Sequence, residues 1–262
     1  MKIDFTKMSG AGNDFIVIDN RSGAIALSES DIRRLCARRT GIGADGLMLM
    51  EHSAQHDFAM RYFNADGKPS SMCGNGGRCI TRFAYLSGIE KTHFSFEANG
   101  ETYFSEILDS GRVKLKMQPP KAFRDAFEVE GVKSFFIDTG SPHAVVYAND
   151  VASLNVLELG RRIRHNREHF PAGTNVNFVE LLSENRLRIR TFERGVEDET
   201  LACGTGCVAA AVVSYKLGKV HTHHILLTVQ SGETIEVELD DALQNVYLIG
   251  SADVVFTGTV WV

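Results

Sequence analysis

The sequence of 262 residues has no long apolar run and no excess of positive charge. Nowhere do about 18 apolar residues follow one another, as a membrane-spanning helix needs. The first residues, Met1 to Phe5, begin no apolar stretch of signal-peptide length. A net charge of −5 gives no general attraction to nucleic acid or to anionic membranes. We therefore expect a cytoplasmic protein without nucleic-acid or membrane partners.

The sequence also lacks the cysteine pattern of a disulfide-stabilised protein. Five cysteines, an odd number in a chain of this length, are more typical of thiols in a reducing compartment. The 44% hydrophobic content, 23% charge and 24 glycines are those of a loop-rich globular protein. A chain of this size can bury one large core or two medium ones.

Two short cysteine motifs stand out in this composition. The first reads Cys-Gly-Asn-Gly-Gly-Arg-Cys from Cys73, and the second reads Cys-Gly-Thr-Gly-Cys from Cys203. Each runs into a segment of helical period, and the helices are predicted to stop at Gly88 and Gly218, each 15 residues after its cysteine. The equal lengths indicate two equivalent cysteines at two equivalent helix starts.

The similarity extends well beyond the cysteines. Turn, strand, helix and hairpin signals recur with an offset between 128 and 132 residues, which is a repeat of domain size. The pattern predicts an α+β fold of two pseudo-symmetric domains, each a mainly antiparallel sheet wrapped around a central helix. We expect an N-terminal half at 1–118, to which 251–262 return, and a C-terminal half at 119–250. The active site is expected in the cleft between them.

Local signals add detail near the chain start. Gly10-Ala11-Gly12 lacks the third glycine of a dinucleotide-binding loop and is interpreted as a tight turn that aims Asn13. A short helix carries Ile32, Leu35 and Cys36 at helical spacing, with Ser30 expected as its N-cap.

A thiol at a helix N-terminus has a specific chemistry. The unpaired N–H groups and the helix dipole lower its pKa and also bind a carboxylate. Two such thiols on opposite sides of one carbon can remove a proton and return another, which inverts the stereocentre without a metal or a cofactor. Asn13, Asn64 and Asn175 can donate and accept hydrogen bonds, and Glu193 with Arg194 can pair with an ammonium and a carboxylate. These groups suit a small amino-acid substrate.

Longer runs of the sequence resemble the diaminopimelate epimerase family over essentially the whole chain. The runs are GAGNDFIVID at 10–19, FNADG at 63–67, MCGNGGRC at 72–79, TNVNFV at 174–179, and ERG followed by ETLACGTG at 193–206. The resemblance implies a cofactor-independent enzyme that interconverts L,L- and meso-diaminopimelate, on the route to lysine and peptidoglycan precursor. It leaves a homodimer open.

The resemblance also implies residue roles. Cys73 and Cys203 would be the acid/base thiols, with His143 and Glu193 setting their protonation. The groups implied to bind substrate are Asn13, Asn64, Gly74, Asn75, Ser141, Asn175, Glu193, Arg194, Gly204 and Thr205. Ser141 stands where many members carry Asn, and Gly46 where some carry Gln, so contacts at the distal end of the substrate would differ.

Other interpretations of these residues remain open at this point. The cysteine spacings and the run His221-Thr222-His223-His224 could hold a metal, although neither has the paired spacing of a structural zinc site. A proline racemase-like enzyme would share the mechanism. A non-catalytic amino-acid-binding protein would be expected to lack one or both of Cys73 and Cys203.

Overall fold

The computed structural model describes residues 1–70 and 72–262. Internal contacts divide the chain into two compact units. Unit 1 contains Met1–Leu115 and Gly250–Val262, and unit 2 contains Lys116–Ile249. The expected arrangement of a 1–118 half and a 119–250 half around a shared cleft stays a prediction.

Unit 1 is a sheet that carries two helices. Its elements are β1 Lys2–Gly10, β2 Asn13–Asn20, α1 Glu29–Cys36, β3 Gly46–Glu51, β4 Phe58–Asn64, α2 Gly74–Leu86, β5 His93–Ala98, β6 Glu101–Ile107, β7 Val113–Met117 and, at the end of the chain, β17 Asp253–Trp261. The hydrogen-bonded order is β17-β1-β2-β3-β4-β5-β6-β7. The pairs β2–β3 and β4–β5 are parallel and the others are antiparallel.

Unit 2 repeats this plan. Its elements are β8 Lys121–Val129, β9 Val132–Asp138, β10 Pro142–Tyr147, α3 Val156–His165, β11 Asn175–Ser183, β12 Arg186–Glu193, β13 Asp198–Thr200, α4 Gly204–Lys216, β14 His224–Thr228, β15 Thr234–Leu239 and β16 Val246–Gly250. The order is β8-β9-β10-β11-β12-β14-β15-β16, with the short β13 also on β12. Its parallel pairs, β10–β11 and β12–β14, occupy the same two places as in unit 1. The expected α+β class is confirmed.

The central helices α2 and α4 are enclosed by the strands of their own units. Helix α2 packs against β1, β2, β3 and β6, and α4 packs against β9, β10, β11, β12, β14 and β15. Ala209, Ala210 and Ala211 of α4 are fully buried, so the small side chains let the strands approach the helix. Among residues 1–70 and 72–262, no helix has the length and apolar content needed to cross a bilayer.

The shorter helices cover the other side of each sheet. Ile32 and Leu35 of α1 pack with Leu47 and Leu49 of β3, and α3 contributes Ile163 to the matching core of unit 2. The N-cap expected at Ser30 is wrong, because the structure places it at Ser28. The Ser28 hydroxyl accepts from the N–H of Asp31, whose carboxylate accepts from the N–H of Ser28. Ser30 already lies inside the helix, two residues after the cap.

Candidate active site

Each of the two cysteine motifs places its first thiol at the N-cap of a buried helix. Cys73 caps α2 with φ −107° and ψ 127°, and Cys203 caps α4 with φ −115° and ψ 109°. Both helices end where a glycine with positive φ follows, at Gly88 (92°) and Gly218 (62°). The first-turn amides of α2 and α4 therefore lie beside the two thiols, at the positive ends of the helix dipoles.

In unit 1 the polar partner of Cys73 is the side chain of Asn13. The β1–β2 hairpin turns through Ala11 (φ 57°) and Gly12 (φ 89°), which confirms the expected tight turn in front of Asn13. The Asn13 Oδ1 lies 3.6 Å from the Cys73 Sγ and accepts from the Asn75 Nδ2 at 3.4 Å. The Asn13 Nδ2 donates to the carboxylate of Asp45 at 2.6 Å. Because a carboxylate only accepts, this contact turns the Asn13 oxygen toward the thiol.

A charged network behind Asn13 holds that carboxylate. Arg38 binds Asp45 at 2.6 Å and Asp14 at 2.9 Å, and the buried ammonium of Lys7 binds Asp14 at 2.7 Å. Burial raises the pKa of Asp14, but the hydrogen bonds from Arg38 and Lys7 outweigh it and hold that pKa below its ordinary value. The network keeps Asp14 charged and fixes the strand ends that carry Asn13.

Asn64 lies at the end of β4 and is exposed. Its strand position is opposite Gly46 of β3, next to Asp45. The space over Gly46 is filled, since a Cβ there would stand 2.5 Å from the ring of Tyr62 and from the carbonyl of Phe63. A longer side chain at residue 46 would require Tyr62 to move.

In unit 2 the polar partner of Cys203 is the hydroxyl of Thr205. The Cys203 Sγ lies 3.6 Å from the Thr205 Oγ1, which lies 3.0 Å from the His143 Nε2. The Ser141 Oγ is 2.9 Å from the same nitrogen and 3.2 Å from the Thr205 Oγ1. Four residues predicted from the sequence are thus brought together around one thiol.

The other predicted residues of unit 2 border this group. Asn175 accepts from the backbone N–H of Arg194 at 2.8 Å and donates to the carbonyl of Pro142 at 3.1 Å. The Arg194 guanidinium donates to the carbonyl of Ala172 at 3.3 Å. Glu193 accepts from the hydroxyl of Thr200 at 2.9 Å and is close enough to Cys203 to affect its titration.

Sequence reasoning missed two residues that support the histidine. Asn177 is fully buried and its Nδ2 lies 3.0 Å from the His143 Nδ1, while the hydroxyl of Thr191 donates to the Asn177 Oδ1 at 3.0 Å. A signal was present, because Asn177 interrupts the apolar strand Val176, Phe178, Val179. A buried amide in such a run requires hydrogen-bond partners and therefore indicates a fixed polar network.

Burial decides the titration of both acid/base groups in unit 2. Burial raises the pKa of the Cys203 thiol well above its usual value and the Glu193 carboxylate adds to this, while the Thr205 hydroxyl and the Gly206 backbone N–H lower it. Burial, with a smaller contribution from the positive charge of Arg194, lowers the pKa of His143 to about 3. Around neutral pH His143 is therefore neutral, and Cys203 is a thiol until substrate or a donor stabilises its anion.

The remaining cysteines lie inside the fold. Cys79 and Cys207 are fully buried within α2 and α4, and burial raises the pKa of Cys36 to about 12. In the part of the chain that the structure describes, no three His, Cys, Asp or Glu side chains are placed to share a metal ion. His223 contacts Asp241 at 2.9 Å and His224 contacts Glu236 at 2.6 Å.

Comparison with known proteins identifies the family. The family model described as diaminopimelate epimerase matches residues 5–123 and 135–255, which carry both thiol sites. The chain belongs to the diaminopimelate epimerase family. This is a family of isomerases, and membership covers both copies of the repeat.

Individual members of the diaminopimelate epimerase family match nearly end to end. The diaminopimelate epimerase of Chlorobaculum tepidum is 54% identical over 97% of this chain and 99% of its own length. That of Aquifex aeolicus is 43% identical, with 98% and 97% covered. Because the match covers nearly the whole of both chains, it is not a similarity confined to one domain.

Solved structures show the same fold at much lower identity. A probable proline racemase from Agrobacterium radiobacter has a TM-score of 0.73 at 16% identity, covering 99% of this chain and 93% of its own. A phenazine biosynthesis protein of the PhzF family from Bacillus anthracis has a TM-score of 0.73 at 17% identity, with 100% of both chains covered. These likenesses confirm the expected two-copy fold and extend to the fold alone.

Proposed function

We propose that this protein interconverts L,L- and meso-diaminopimelate by a two-base mechanism that uses Cys73 and Cys203 and no cofactor. The observation that carries the proposal is the equivalence of the two thiols: each caps the buried central helix of its unit, and the two units have the same strand order. Family membership supplies the substrate class.

The chemistry follows from a thiol beside helix-start amides. The N–H groups of Gly74 and Asn75, and those of Gly204 and Thr205, face an anion at the positive end of a helix. A substrate α-carboxylate bound there spreads the negative charge that develops when the α-proton leaves, which lowers the barrier to its removal. One cysteine takes the proton as thiolate, and the other delivers a proton to the opposite face as thiol.

We assign substrate recognition to the polar residues around the thiols. Asn13 and Asn64 in unit 1, and Asn175 with Arg194 in unit 2, offer the donors and acceptors that an amino acid with two carboxylates and two ammonium groups requires. Ser141 offers a hydroxyl where many relatives offer an amide. Glu193 carries the negative charge that an ammonium group would neutralise.

We propose that Glu193 and His143 influence the Cys203 thiol in different ways. Glu193 raises the pKa of Cys203 in the unliganded protein, and pairing with a substrate ammonium would remove that effect when substrate binds. His143 acts as a neutral hydrogen-bonding group, since burial keeps it from charging. Substrate binding itself would therefore prepare Cys203 for deprotonation.

We place the enzyme in the cytoplasm, in the branch of metabolism that makes lysine and the peptidoglycan precursor. Its known partner class is a small molecule, and one chain carries both thiols. A homodimer is proposed as compatible with this chemistry, and sedimentation would decide it without affecting the mechanism.

The assay that tests the proposal uses reduced protein treated with a chelator and freed of small molecules. L,L-diaminopimelate is supplied, and meso product is measured by chiral chromatography. We expect conversion to an equilibrium mixture without added metal or cofactor. L-Proline is the comparison substrate, and its racemisation without turnover of diaminopimelate would replace the proposal with a proline racemase-like activity. No turnover of either by folded, reduced protein would indicate a binding protein.

A further inference from the structure

The buried amide of Asn177 has only one orientation that satisfies its neighbours. One of its two terminal atoms lies 3.0 Å from the carbonyl oxygen of Ala144, which can only accept a hydrogen bond. That atom is therefore Nδ2, and Oδ1 is left to accept from the hydroxyl of Thr191 at 3.0 Å. The orientation is thus set by a backbone carbonyl, independently of any assumption about the histidine.

This orientation determines which nitrogen of His143 carries the proton. The second N–H of Asn177 points at the His143 Nδ1 over 3.0 Å, so Nδ1 must accept. A neutral imidazole has one acceptor and one donor nitrogen, so the proton is on Nε2. Uptake of a second proton at Nδ1 would set two N–H donors against each other across this 3.0 Å contact.

The donors of unit 2 then converge on two hydroxyls. The His143 Nε2–H reaches the Ser141 Oγ at 2.9 Å and the Thr205 Oγ1 at 3.0 Å. Asn175 is oriented in the same way as Asn177, by the carbonyl of Pro142 and the N–H of Arg194, and its Nδ2 faces the Ser141 Oγ at 3.4 Å. Ser141 receives N–H groups from both sides, so its own proton is directed to the Thr205 Oγ1 at 3.2 Å.

The Thr205 hydroxyl oxygen accepts hydrogen bonds from Ser141 and His143. Its own proton is therefore free to point toward the Cys203 thiol. The third partner of this hydroxyl, besides Ser141 and His143, is the Cys203 Sγ at 3.6 Å, which can accept. A hydroxyl that donates to sulfur stabilises a thiolate and leaves a thiol almost unaffected. The direction of this series of hydrogen bonds therefore favours the Cys203 thiolate, which the acid/base mechanism requires.

We propose that Asn177 is a positioning residue that holds His143 as a fixed Nε2–H donor, so that the Thr205 hydroxyl donates to the Cys203 thiolate. This deepens the proposed function, on which its catalytic meaning rests. In this role His143 directs one hydrogen bond. The charged and titratable groups near His143 and Cys203 are Arg194, Glu193 and Cys207, and the donor that reaches Nδ1 at 3.0 Å is the Asn177 amide.

The first test measures the tautomer of His143 in the unaltered protein. Protein labelled with ¹⁵N-histidine is studied by long-range ¹H–¹⁵N NMR, and the His143 signals are assigned by their loss in His143→Gln. We expect a neutral ring with the proton on Nε2 throughout pH 5 to 8. A proton on Nδ1, or titration of the ring within that range, would overturn the proposal whether or not the protein is an epimerase.

The second test reverses the polarity with Asn177→Asp, which keeps the side-chain shape but replaces the donor by an acceptor. We expect the His143 proton to appear on Nδ1, and kcat to fall roughly ten- to hundredfold with little change in KM, because a hydrogen bond to a charged group is lost. Asn155→Asp is the matched control. Asn155 caps α3 by accepting from the N–H of Glu158, a role that Asp fills equally well.

The outcomes separate the positioning role from a structural one. An unchanged NMR signature with unchanged kcat in folded Asn177→Asp would overturn the proposal. If the variant does not fold, the tautomer of the unaltered protein still decides it. A protein that shows the Nε2–H tautomer but no epimerisation would contradict the proposed function alone.

Discussion

The thiols of the two units share a backbone position but face opposite kinds of polar group. Cys73 faces the Asn13 Oδ1, an acceptor whose direction is set by Asp45. Cys203 faces the hydroxyl of Thr205, a donor in the hydrogen-bond scheme set by Asn177. An acceptor favours S–H and a donor favours S⁻, so the Asn13 contact favours the acid at Cys73 and the Thr205 contact favours the base at Cys203. At Cys203 this contact acts against burial and the Glu193 charge, which raise the pKa of the thiol.

The difference shows what a duplicated fold does and does not copy. The two sheets have matching order and matching parallel pairs, and the helix starts match because both need a glycine-rich turn. The side chains that reach the sulfur come from different places, from the β1–β2 turn in unit 1 and from α4 itself in unit 2. Equivalent helix caps can therefore hold groups with unequal acid strength, which an enzyme that works in both directions must balance.

The largest expected effect is loss of either thiol. Cys73→Ser and Cys203→Ser should each lower kcat for epimerisation by roughly 10²- to 10⁴-fold, because a hydroxyl is a much weaker acid than a thiol. The measurement is initial velocity in both directions, from L,L- and from meso-diaminopimelate. Near-normal turnover in either variant would refute the two-base assignment.

A change at Thr205 should affect one thiol and spare the other. Thr205→Val removes the hydroxyl near the Cys203 Sγ, and at a fixed pH near neutrality alkylation of Cys203 should slow roughly ten- to hundredfold. Peptide mass spectrometry after iodoacetamide treatment reports both thiols, so Cys73 in the same sample is the internal control. Thr205→Ser keeps the hydroxyl and should keep the rate. Equal slowing of both cysteines would indicate a general change in the fold.

A matched pair of glycine variants compares the space under the two thiols. A Cβ on Gly206 would lie 2.4 Å from the Asn177 Oδ1, whereas a Cβ on Gly76 would lie 3.1 Å from the flexible Met48 Sδ. Gly206→Ala should lower the free energy of unfolding by about 1–3 kcal/mol through overpacking. Gly76→Ala should cost less than about 1 kcal/mol, since higher helix propensity offsets the contact. Urea denaturation of both variants measures the difference, and equal losses would contradict the comparison.

A change that needs no substitution to observe is expected in the pH dependence of stability. His143 has a folded-state pKa of about 3, below its ordinary value of 6.5. Above pH 6.5 the ring is neutral in both the folded and the unfolded chain, so burying it costs no deprotonation. As pH falls from 6.5 toward 3 the unfolded chain gains a proton that the folded chain does not, and stability is lost at about 1.4 kcal/mol per pH unit.

His143→Gln removes this contribution. Between pH 6 and 4 the free energy of unfolding should therefore fall less steeply in His143→Gln than in the unaltered protein. The measurement is a series of urea titrations at each pH, and the difference between the two slopes isolates His143 from the carboxylates. Parallel slopes would mean that His143 charges in the folded state.

Features that depend on the backbone conformation of one or two residues, such as helix ends and tight turns, can be predicted from the sequence. Glycines at positions 88 and 218 end helices because they adopt positive φ, and Asn99-Gly100 forms a hairpin turn for the same reason. The α1 cap was misplaced at Ser30, although Ser28 and Asp31 carry the spacing of a capping box. Two serines only two residues apart, Ser28 and Ser30, obscured that signal.

Prediction failed where the partner is distant in sequence. Asn177 contacts His143 from the neighbouring strand, and Asp45 contacts Asn13 from a segment more than 30 residues away. The buried position of Asn177 has a local signal, but nothing near either residue identifies its partner. Register decides such contacts: Val145 lies opposite Asn177 and Phe15 opposite Gly46. The sequence repeat shows that the two cysteine positions are equivalent. The register of strand pairing is also needed to tell which side chains surround each cysteine.

The most direct test of the two-thiol account follows isotope from solvent. L,L-diaminopimelate is incubated with the protein in D₂O, and product and recovered substrate are separated at early times and analysed for deuterium. The account predicts deuterium at the inverted carbon of the meso product and none in recovered L,L substrate. The thiol that delivers the new hydrogen carries deuterium from the solvent, whereas the thiol that removed the proton holds only that proton and can return nothing else. Equal labelling of substrate and product from the start would show a single base acting on both faces and would contradict the account.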